Sequence, residues 1–173
     1  MSPSTEFAVH YCCPFTPLGE RETTIMKANY LGHVVFYVKN IETSLKFYRD
    51  LLGFQEIGTM FNGKAAALTS GRTHHELLLI QVGDAPGPLP GLRRGLYHIG
   101  IKIGDSLDDL RLAKKELEQA GIPITGMSDH TVSQSLYLAD PDGNEVEIYV
   151  DADEQIWKEN PAAVLSPIKP LSL

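Results

Sequence analysis

The sequence has few cysteines and no long apolar run, and each shortage excludes a class of protein. Its two cysteines, Cys12 and Cys13, are adjacent, so they cannot join distant parts of a fold or supply the spaced pairs of a zinc site. No apolar run approaches the ~20 residues that span a bilayer. The first residues lack the charged start and apolar segment of a signal peptide. We therefore expect a cytoplasmic protein, with both cysteines as free thiols in an N-terminal arm.

Basic residues are also in short supply. Lys and Arg number 15 against 22 Asp and Glu, which gives a net charge of −7 at pH 7. This charge repels the phosphates of nucleic acids, and no cluster of Lys or Arg offsets it. A hydrophobic content of 43% in 173 residues is typical of a globular chain that buries a substantial core. We therefore expect a globular protein that binds neither nucleic acid nor membrane.

The apolar pattern repeats one order of elements twice. Each half predicts a strand, a helix closed by a glycine, and three more short strands. The predicted helices end at Gly53 and Gly121. The predicted strands lie at residues 31–38, 54–60, 65–69, 75–82, 96–103, 122–127, 132–138 and 145–150. The chain is therefore predicted to be an internal duplication of a βαβββ module.

Two such modules predict an α+β fold. One module can curl around a cleft but cannot close it, so we expect a pair to form a half-open twisted β-barrel with the helices outside. The predicted segments are an N-terminal arm (1–29), module one (30–83), a connector (84–95), module two (96–151) and a C-terminal tail (152–173). The tail shows no clear period and is predicted to be extended on the surface. The open cleft, the arm and the tail favour a homo-oligomer, most simply a dimer.

The last strand of module two has two different faces. It follows a predicted tight turn, DPDGN, at residues 140–144. Apolar residues then alternate with two carboxylates and a phenol, in the order Glu145, Val146, Glu147, Ile148, Tyr149, Val150. One face therefore belongs to the core, and the other carries Glu147. A solvated sheet face would explain Glu147 alone, but its relation to two strand histidines makes it a candidate ligand.

His33 and His98 stand near the start of the opening strand of each module. Two imidazoles and one carboxylate, here His33, His98 and Glu147, form a facial triad that leaves positions open for substrate and oxygen. These strands carry no thiolates, which argues against a closed structural zinc site. Taken singly, a histidine on a strand is more often a hydrogen-bonded core residue than a metal ligand. Their matching positions in the two modules favour a metal cleft.

The segments GLYHIGIKI (95–103) and DHTVSQSLYLADPDGNEVEIYVD (129–151) resemble the vicinal oxygen chelate superfamily. Within it, the chain is most similar to catechol 2,3-dioxygenase-like extradiol ring-cleavage dioxygenases. The resemblance covers residues 31–151 and extends to the tail around Trp157, but not to the first thirty residues. It implies that His33, His98 and Glu147 bind Fe(II), or Mn(II) in some members. It also implies a catechol-type substrate and dioxygen, with cleavage next to the hydroxyl pair.

The resemblance implies three further active-site residues. His75 matches a histidine that acts as acid and base, His130 matches a histidine lining the pocket, and Tyr137 matches a tyrosine that donates to substrate or ligand oxygen. Each residue also has an ordinary structural explanation. His75 could lie at a solvent-exposed strand end, His130 could be a turn residue, and Tyr137 could be an ordinary aromatic residue of a strand. Many relatives have four modules rather than two, so the walls of a substrate pocket here must come from loops, the tail or another subunit.

Two other functions fit the same fold. A glyoxalase-type lyase or epimerase would place a fourth metal ligand, a carboxylate or Gln, on the closing strand of module one. His75 occupies that region, and the adjacent Glu76 is predicted to point to the other face, although a shift of one residue would bring Glu76 inside. A drug-binding protein of the bleomycin resistance type would need no metal, and so has no use for His33, His98 and Glu147 together.

Overall fold

The computed structural model describes residues 28–173, of which residues 32–173 form one unit. The predicted arm (1–29), with Cys12 and Cys13, lies almost wholly outside the described residues. The strands are β1 (Val34–Val38), β2 (Gln55–Met60), β3 (Ala65–Thr69), β4 (Leu77–Gln81), β5 (His98–Gly104), β6 (Ile124–Asp129), β7 (Ser133–Ala139), β8 (Glu145–Asp151) and β9 (Lys169–Pro170). The helices are α1 (Ile41–Leu45), which continues as a π-helical turn (Lys46–Leu51), α2 (Leu107–Gln119), α3 (Gln155–Glu159) and a 3-10 helix (Pro161–Leu165).

These strands form two unclosed sheets, one from each module. The first sheet has the order β1-β4-β3-β2, and the second has the order β5-β8-β7-β6-β9. In both sheets the opening strand runs parallel to the closing strand of its own module, while the other pairs of the module are antiparallel. The predicted α+β class and the repeated βαβββ order are thereby confirmed, and the two unclosed sheets are consistent with a half-open twisted barrel.

Local signals set the helix ends. The Asn40 side chain accepts a hydrogen bond from Thr43 N at 2.9 Å and so caps α1. Ser106 and Asp109 form a reciprocal capping box at the start of α2. Gly53 and Gly121 follow the two helical segments with φ of 80° and 69°, as a left-handed C-terminal cap requires.

One apolar core joins the two modules. Its fully or almost fully buried members come from both sheets and both main helices, and include Phe36, Val38, Leu45, Tyr48, Leu110, Leu117, Leu136, Val146, Ile148 and Val150. Truncating a buried leucine in such a core to alanine costs about 2–5 kcal/mol. Successive side chains of a strand point to opposite faces, so every second residue points away from this core. On β1 and β8 these are the odd-numbered residues.

A buried polar bond also links the modules. The Tyr48 hydroxyl of the π-helical turn donates to Asp140 Oδ2 at 2.8 Å, across 92 positions of sequence. Asp140 also accepts hydrogen bonds from the backbone amides of Asp142 and Asn144, so its carboxylate holds the β7–β8 turn closed. Burial and the Asp140 carboxylate raise the pKa of Tyr48, which keeps this phenol protonated. The helix of module one is thus tied to the hairpin that carries Glu147.

The structure differs from the sequence prediction at several places. Strand β1 begins at Val34 and β4 at Leu77, so His33 and His75 lie just before these strands rather than within them. The tail is not simply extended: it contains α3 and the 3-10 helix, and β9 pairs with β6 at the edge of the second sheet. Ala163, Leu171 and Leu173 also pack in or against the core, which explains why this aperiodic segment is ordered. Among residues 28–173, no helix is long and apolar enough to span a membrane.

Candidate metal centre

The second sheet carries a histidine beside two carboxylates on its face away from the core. His98 begins β5 and is in register with Glu145 of β8, while Gly100 is in register with Glu147. His98 Nε2 lies 3.2 Å from Glu147 Oε2, and His98 Nδ1 lies 3.3 Å from Glu145 Oε1. The side chains of His98 and Glu147 remain 28% and 15% exposed, so the pair is partly accessible from outside. This pairing supplies two of the three predicted ligands side by side.

Tyr137 and His130 extend this group into one polar network. Tyr137 faces Glu147 across the β7–β8 pairing, and its hydroxyl donates to Glu147 Oε1 at 3.1 Å. His130 Nε2 lies 2.6 Å from the Tyr137 hydroxyl oxygen and 3.8 Å from Glu147 Oε1. Burial and the Glu147 carboxylate raise the pKa of Tyr137 to about 12, so this phenol is a proton donor at neutral pH. If Tyr137 donates to Glu147, His130 can donate in turn to Tyr137 through Nε2–H.

A tight turn between β6 and β7 sets the position of His130. The His130 amide donates to the carbonyl of Ser133 at 2.9 Å, and the Thr131 amide donates to Asp129 Oδ1 at 2.7 Å. Thr131 has a φ of 73°. Its buried hydroxyl has no hydrogen-bond partner among the described residues. These two hydrogen bonds fix the backbone at His130 and Thr131, and so set the position of His130.

The remaining two predicted residues meet in module one. The ring centroid of His33 lies 4.5 Å from that of His75, and the His74 ring centroid also lies 4.5 Å from that of His75. Partial burial lowers the pKa of His75, and the neighbouring imidazoles of His33 and His74 lower it further. His75 is therefore neutral at pH 7, as a group that accepts a proton must be.

Sequence reasoning did not select Glu145 or Tyr97, yet both belong to the network around His98. Tyr97 donates to the Glu145 carboxylate, and this bond raises the pKa of Tyr97. Glu145 in turn faces His98 Nδ1. A signal for Glu145 was present, because period-two alternation puts it on the same face of β8 as Glu147. No sequence signal indicated Tyr97, which precedes β5 and is 74% exposed.

Comparison with known proteins identifies the family. The model of the Glyoxalase/Bleomycin resistance protein/Dioxygenase superfamily matches residues 30–148. The chain belongs to this superfamily. The predicted resemblance is thereby confirmed.

Several similar proteins of the superfamily are dioxygenases by name. Catechol-2,3-dioxygenase of Bacillus subtilis is 34% identical over 139 residues, which cover 80% of this chain and 47% of that protein. Biphenyl-2,3-diol 1,2-dioxygenase 3 of Rhodococcus globerulus is 32% identical over 128 residues, with coverages of 70% and 63%. An iron-dependent extradiol dioxygenase of Rhodococcus jostii is 30% identical over 158 residues, with coverages of 78% and 49%. This chain thus spans about half to two thirds of the length of these three enzymes.

Solved structures of the superfamily share the fold. A glyoxalase/dioxygenase from Nostoc punctiforme superimposes with a TM-score of 0.65 at 21% identity, covering 78% of this chain and all of the other. A lactoylglutathione lyase from Agrobacterium tumefaciens superimposes with a TM-score of 0.56 at 24% identity, covering 76% and 98%. At these identities the likeness concerns the fold alone.

The donor set expected of a metal-binding member is present in this chain but divided. His98 and Glu147 are adjacent and offer the imidazole and carboxylate that Fe(II) or Mn(II) accepts. His33 lies instead against His75, next to the first sheet. Within residues 28–173, no group of three His, Cys, Asp or Glu side chains is placed to hold a metal ion. The described residues therefore include the two imidazoles and the carboxylate of the predicted triad, but the structure does not bring all three together.

Glu76, the alternative ligand considered for a lyase, has local partners. Its carboxylate accepts hydrogen bonds from Thr69 Oγ1 at 2.8 Å and from the amide and hydroxyl of Ser70, each at 2.9 Å. The side chain is only 12% exposed. Both oxygens of Glu76 thus hold the turn after β3, and a metal would have to break these bonds to reach them.

Proposed function

We propose that this chain is a metal-dependent extradiol dioxygenase that opens a catechol-type ring next to its hydroxyl pair, with Fe(II) as the metal and Mn(II) as the alternative. The observation that carries the proposal is the continuous network of His98, Glu147, Tyr137 and His130 on one exposed sheet face. A solvated strand face does not require two histidines, a phenol and a carboxylate within hydrogen-bond distance of one another. The similarity to catechol and biphenyl-diol dioxygenases suggests the reaction in which this network would take part.

A redox-active metal, when bound, would bring the catechol and dioxygen together, because triplet oxygen reacts slowly with a closed-shell ring. The protein's own contribution is to orient the substrate and to manage its protons. Tyr137 is protonated at neutral pH and can donate to an oxygen that gains negative charge. His130 contacts the Tyr137 hydroxyl and can support that donation.

His75 suits the role of general acid and base. A catechol must lose protons as it binds, and the neutral imidazole of His75 can accept one and later return it. It contacts His33, so the acid–base group and one proposed ligand share a single location. The partial burial that lowers the pKa of His75 favours its neutral form, which can accept a proton, and also favours release of that proton afterwards.

The lyase alternative rests on a shared fold and meets an obstacle in Glu76. The Agrobacterium lactoylglutathione lyase has the same architecture. The carboxylate that would serve as the fourth ligand is instead engaged by Thr69 and Ser70. A metal-free binding protein would leave the His98–Glu147–Tyr137 network without a purpose. The dioxygenase accounts for more of the observed contacts than either alternative.

The deciding experiment is an aerobic turnover assay on protein purified without oxygen. Metal content is measured first, and Fe(II) or Mn(II) is then added to separate samples. Catechol and oxygen should give oxygen uptake and a yellow ring-opened product with the active metal, and none without metal. Metal-loaded protein that leaves catechol intact but converts the hemithioacetal of methylglyoxal and glutathione would establish the lyase instead.

A further inference from the structure

We infer that the open space above Gly100 of β5 receives the ring substituent of the substrate, and that this space favours a neutral substituent over an anionic one. The inference rests on the proposed function, because it specifies which catechols that function would use. Gly100 is exposed and lies on the same face of β5 as His98. A residue without a side chain at this position leaves room beside His98 and Glu147, two of the proposed ligands.

Gly100 belongs to a row of four residues that crosses the second sheet. The strand pairing sets Gly100 beside Glu147, and Glu147 beside Tyr137. It also sets Gly126 of β6 beside Tyr137. A glycine therefore stands at each end of the row, so neither end carries a side chain that could cover the carboxylate or the phenol. Gly126 follows a register shift that gives a glycine there a structural reason, but Gly100 lies in a regular stretch of pairing.

The backbone at Gly100 does not require a glycine. Its φ is not positive, so a larger residue can adopt the same conformation. A Cβ atom at this position would lie 3.4 Å from Tyr149 Cε1 and 3.6 Å from Glu147 Oε2, which are ordinary van der Waals distances. Glycine also weakens the interior of a strand, because it has no side chain to pack. Neither conformation nor close packing thus accounts for Gly100, and what it provides is space.

An aromatic ring borders this space. Tyr149 follows Glu147 on the same face of β8, and its Cε1 is the nearest atom to a Cβ built on Gly100. A group that extends from Glu147 over Gly100 therefore meets the ring of Tyr149. An alkyl or aryl group can pack against such a ring. The space is accordingly suited to an apolar substituent.

The charges near the space are mainly negative. Strands β5 to β8 contain four acidic residues and a single basic one, Lys102, which is in register with Tyr149. Lys102 Nζ lies 2.7 Å from Asp105 Oδ1 and 2.9 Å from Asp151 Oδ2, so two carboxylates already compensate its charge. An anionic substituent would meet like charges there and no unpaired cation on these four strands. A neutral substituent avoids this repulsion.

A size series at Gly100 tests the space, with Gly58 as the matched control. Gly58 is also a strand glycine without a positive φ, and a Cβ there would meet nothing within 4 Å. Protein loaded with Fe(II) or Mn(II) is titrated by calorimetry without oxygen, using catechol and the propylcatechol isomer (3- or 4-) that the wild type binds more tightly. The wild type should bind this propylcatechol more tightly than catechol. Because one methylene in a pocket is worth about 10–200-fold, Gly100→Val should weaken propylcatechol binding at least about tenfold and catechol binding far less. Gly100→Ala should fall between, and Gly58→Val should bind both as the wild type does.

A charge series tests the preference for a neutral substituent. The probe is the same isomer with a carboxymethyl group, which is close in size to propyl but anionic at pH 7. The wild type should bind it at least about tenfold more weakly than propylcatechol, because like charges oppose binding. Asp151→Asn removes one carboxylate beside Lys102 and should narrow this difference by about two- to fivefold. Asp108→Asn is the control, since Asp108 is also ion-paired but lies on α2, and it should leave the difference unchanged.

Binding is measured apart from turnover, so the outcomes separate this inference from the proposed function. If propylcatechol binds no more tightly than catechol, or if Gly100→Val weakens both alike, the space does not receive the substituent. Equal binding of the propyl and carboxymethyl probes, or an Asp151→Asn chain that discriminates as the wild type does, overturns the preference for a neutral group. Both preferences without ring opening in oxygen support the inference and remove the dioxygenase. Ring opening without either preference does the reverse, and a metal-loaded protein that binds no catechol overturns both.

Discussion

The two modules have the same order of elements, but their polar faces are built differently. In module two, hydrogen bonds or ion pairs link Tyr97, His98, Glu145, Glu147 and Tyr137. In module one, His33 and His75 meet only through their rings, beside exposed apolar side chains. The duplicated backbone therefore supports one face with hydrogen-bonded carboxylates and another with imidazole rings in contact.

The largest effect should follow from removing Glu147. This carboxylate contacts His98, Tyr137 and His130, so Glu147→Ala takes away the centre of the module-two network. Because groups around a metal ligand already contribute about 10–100-fold to metal affinity, loss of the ligand itself should exceed about a hundredfold. Metal content after dialysis gives the result. His98→Ala and His33→Ala should also empty the site, and a variant that keeps stoichiometric metal removes its residue from the ligand set.

The next effect distinguishes acid–base chemistry from ligation in module one. His75→Ala should lower kcat by about 10²–10⁴-fold, the usual contribution of a general acid–base group, while iron content and catechol affinity stay unchanged. His74→Ala is the comparison, since His74 is the adjacent histidine and contacts His75 but is not a proposed ligand or acid–base group. Its kcat should fall by less than about tenfold. Loss of metal from His75→Ala would instead identify His75 as a ligand and favour the lyase.

A smaller effect concerns Glu145 as a positioning residue. Glu145 faces His98 Nδ1, and by accepting a hydrogen bond from Nδ1–H it would leave the Nε2 lone pair free to bind a metal. Glu145→Ala should weaken metal affinity by about 10–100-fold, and Glu145→Gln should recover most of it, because the amide oxygen still accepts from Nδ1–H. Metal titration checks both variants. Equal losses in Ala and Gln would show that charge, not orientation, is what Glu145 contributes.

The smallest effect concerns the bond between the modules. Tyr48→Phe removes the hydroxyl that donates to buried Asp140 and should lower the free energy of unfolding by about 1–3 kcal/mol. Urea denaturation measures the change, and the folded variant should bind metal as the wild type does. If the variant loses metal while still folded, the bond positions the β7–β8 hairpin and with it Glu147.

Much of the fold follows from local signals in the sequence. The alternation from Glu145 to Val150 predicted the two faces of β8, and Gly53 and Gly121 marked the helix ends, because these signals act within one turn or one strand. The tail could not be predicted in this way. Its order depends on packing of Ala163, Leu171 and Leu173 against a core formed by distant residues.

The residue types of the candidate site could be predicted from the sequence, but their arrangement in space could not. The alternation placed Glu147 on a polar face, and the repeated modules placed His33 and His98 at matching positions. Whether these side chains meet depends on which faces the modules use to pack together. That choice is made by contacts such as Tyr48 with Asp140, far apart in sequence. No periodic pattern in the sequence indicates this choice, so the sequence predicted the candidate ligands but not their arrangement in separate pairs.

The left-handed backbone at Thr131 belongs to the turn that positions His130. A β-branched residue at a φ of 73° is strained, and such positions cost about 1–3 kcal/mol each. Glycine would relieve the strain, but it would also free the turn that holds His130. By keeping threonine there, the folded chain gives up some stability to hold the imidazole beside the Tyr137 hydroxyl in advance. The folded chain thus orders this donor pair without a bound molecule, so a ligand of this face would spend no binding energy on ordering it.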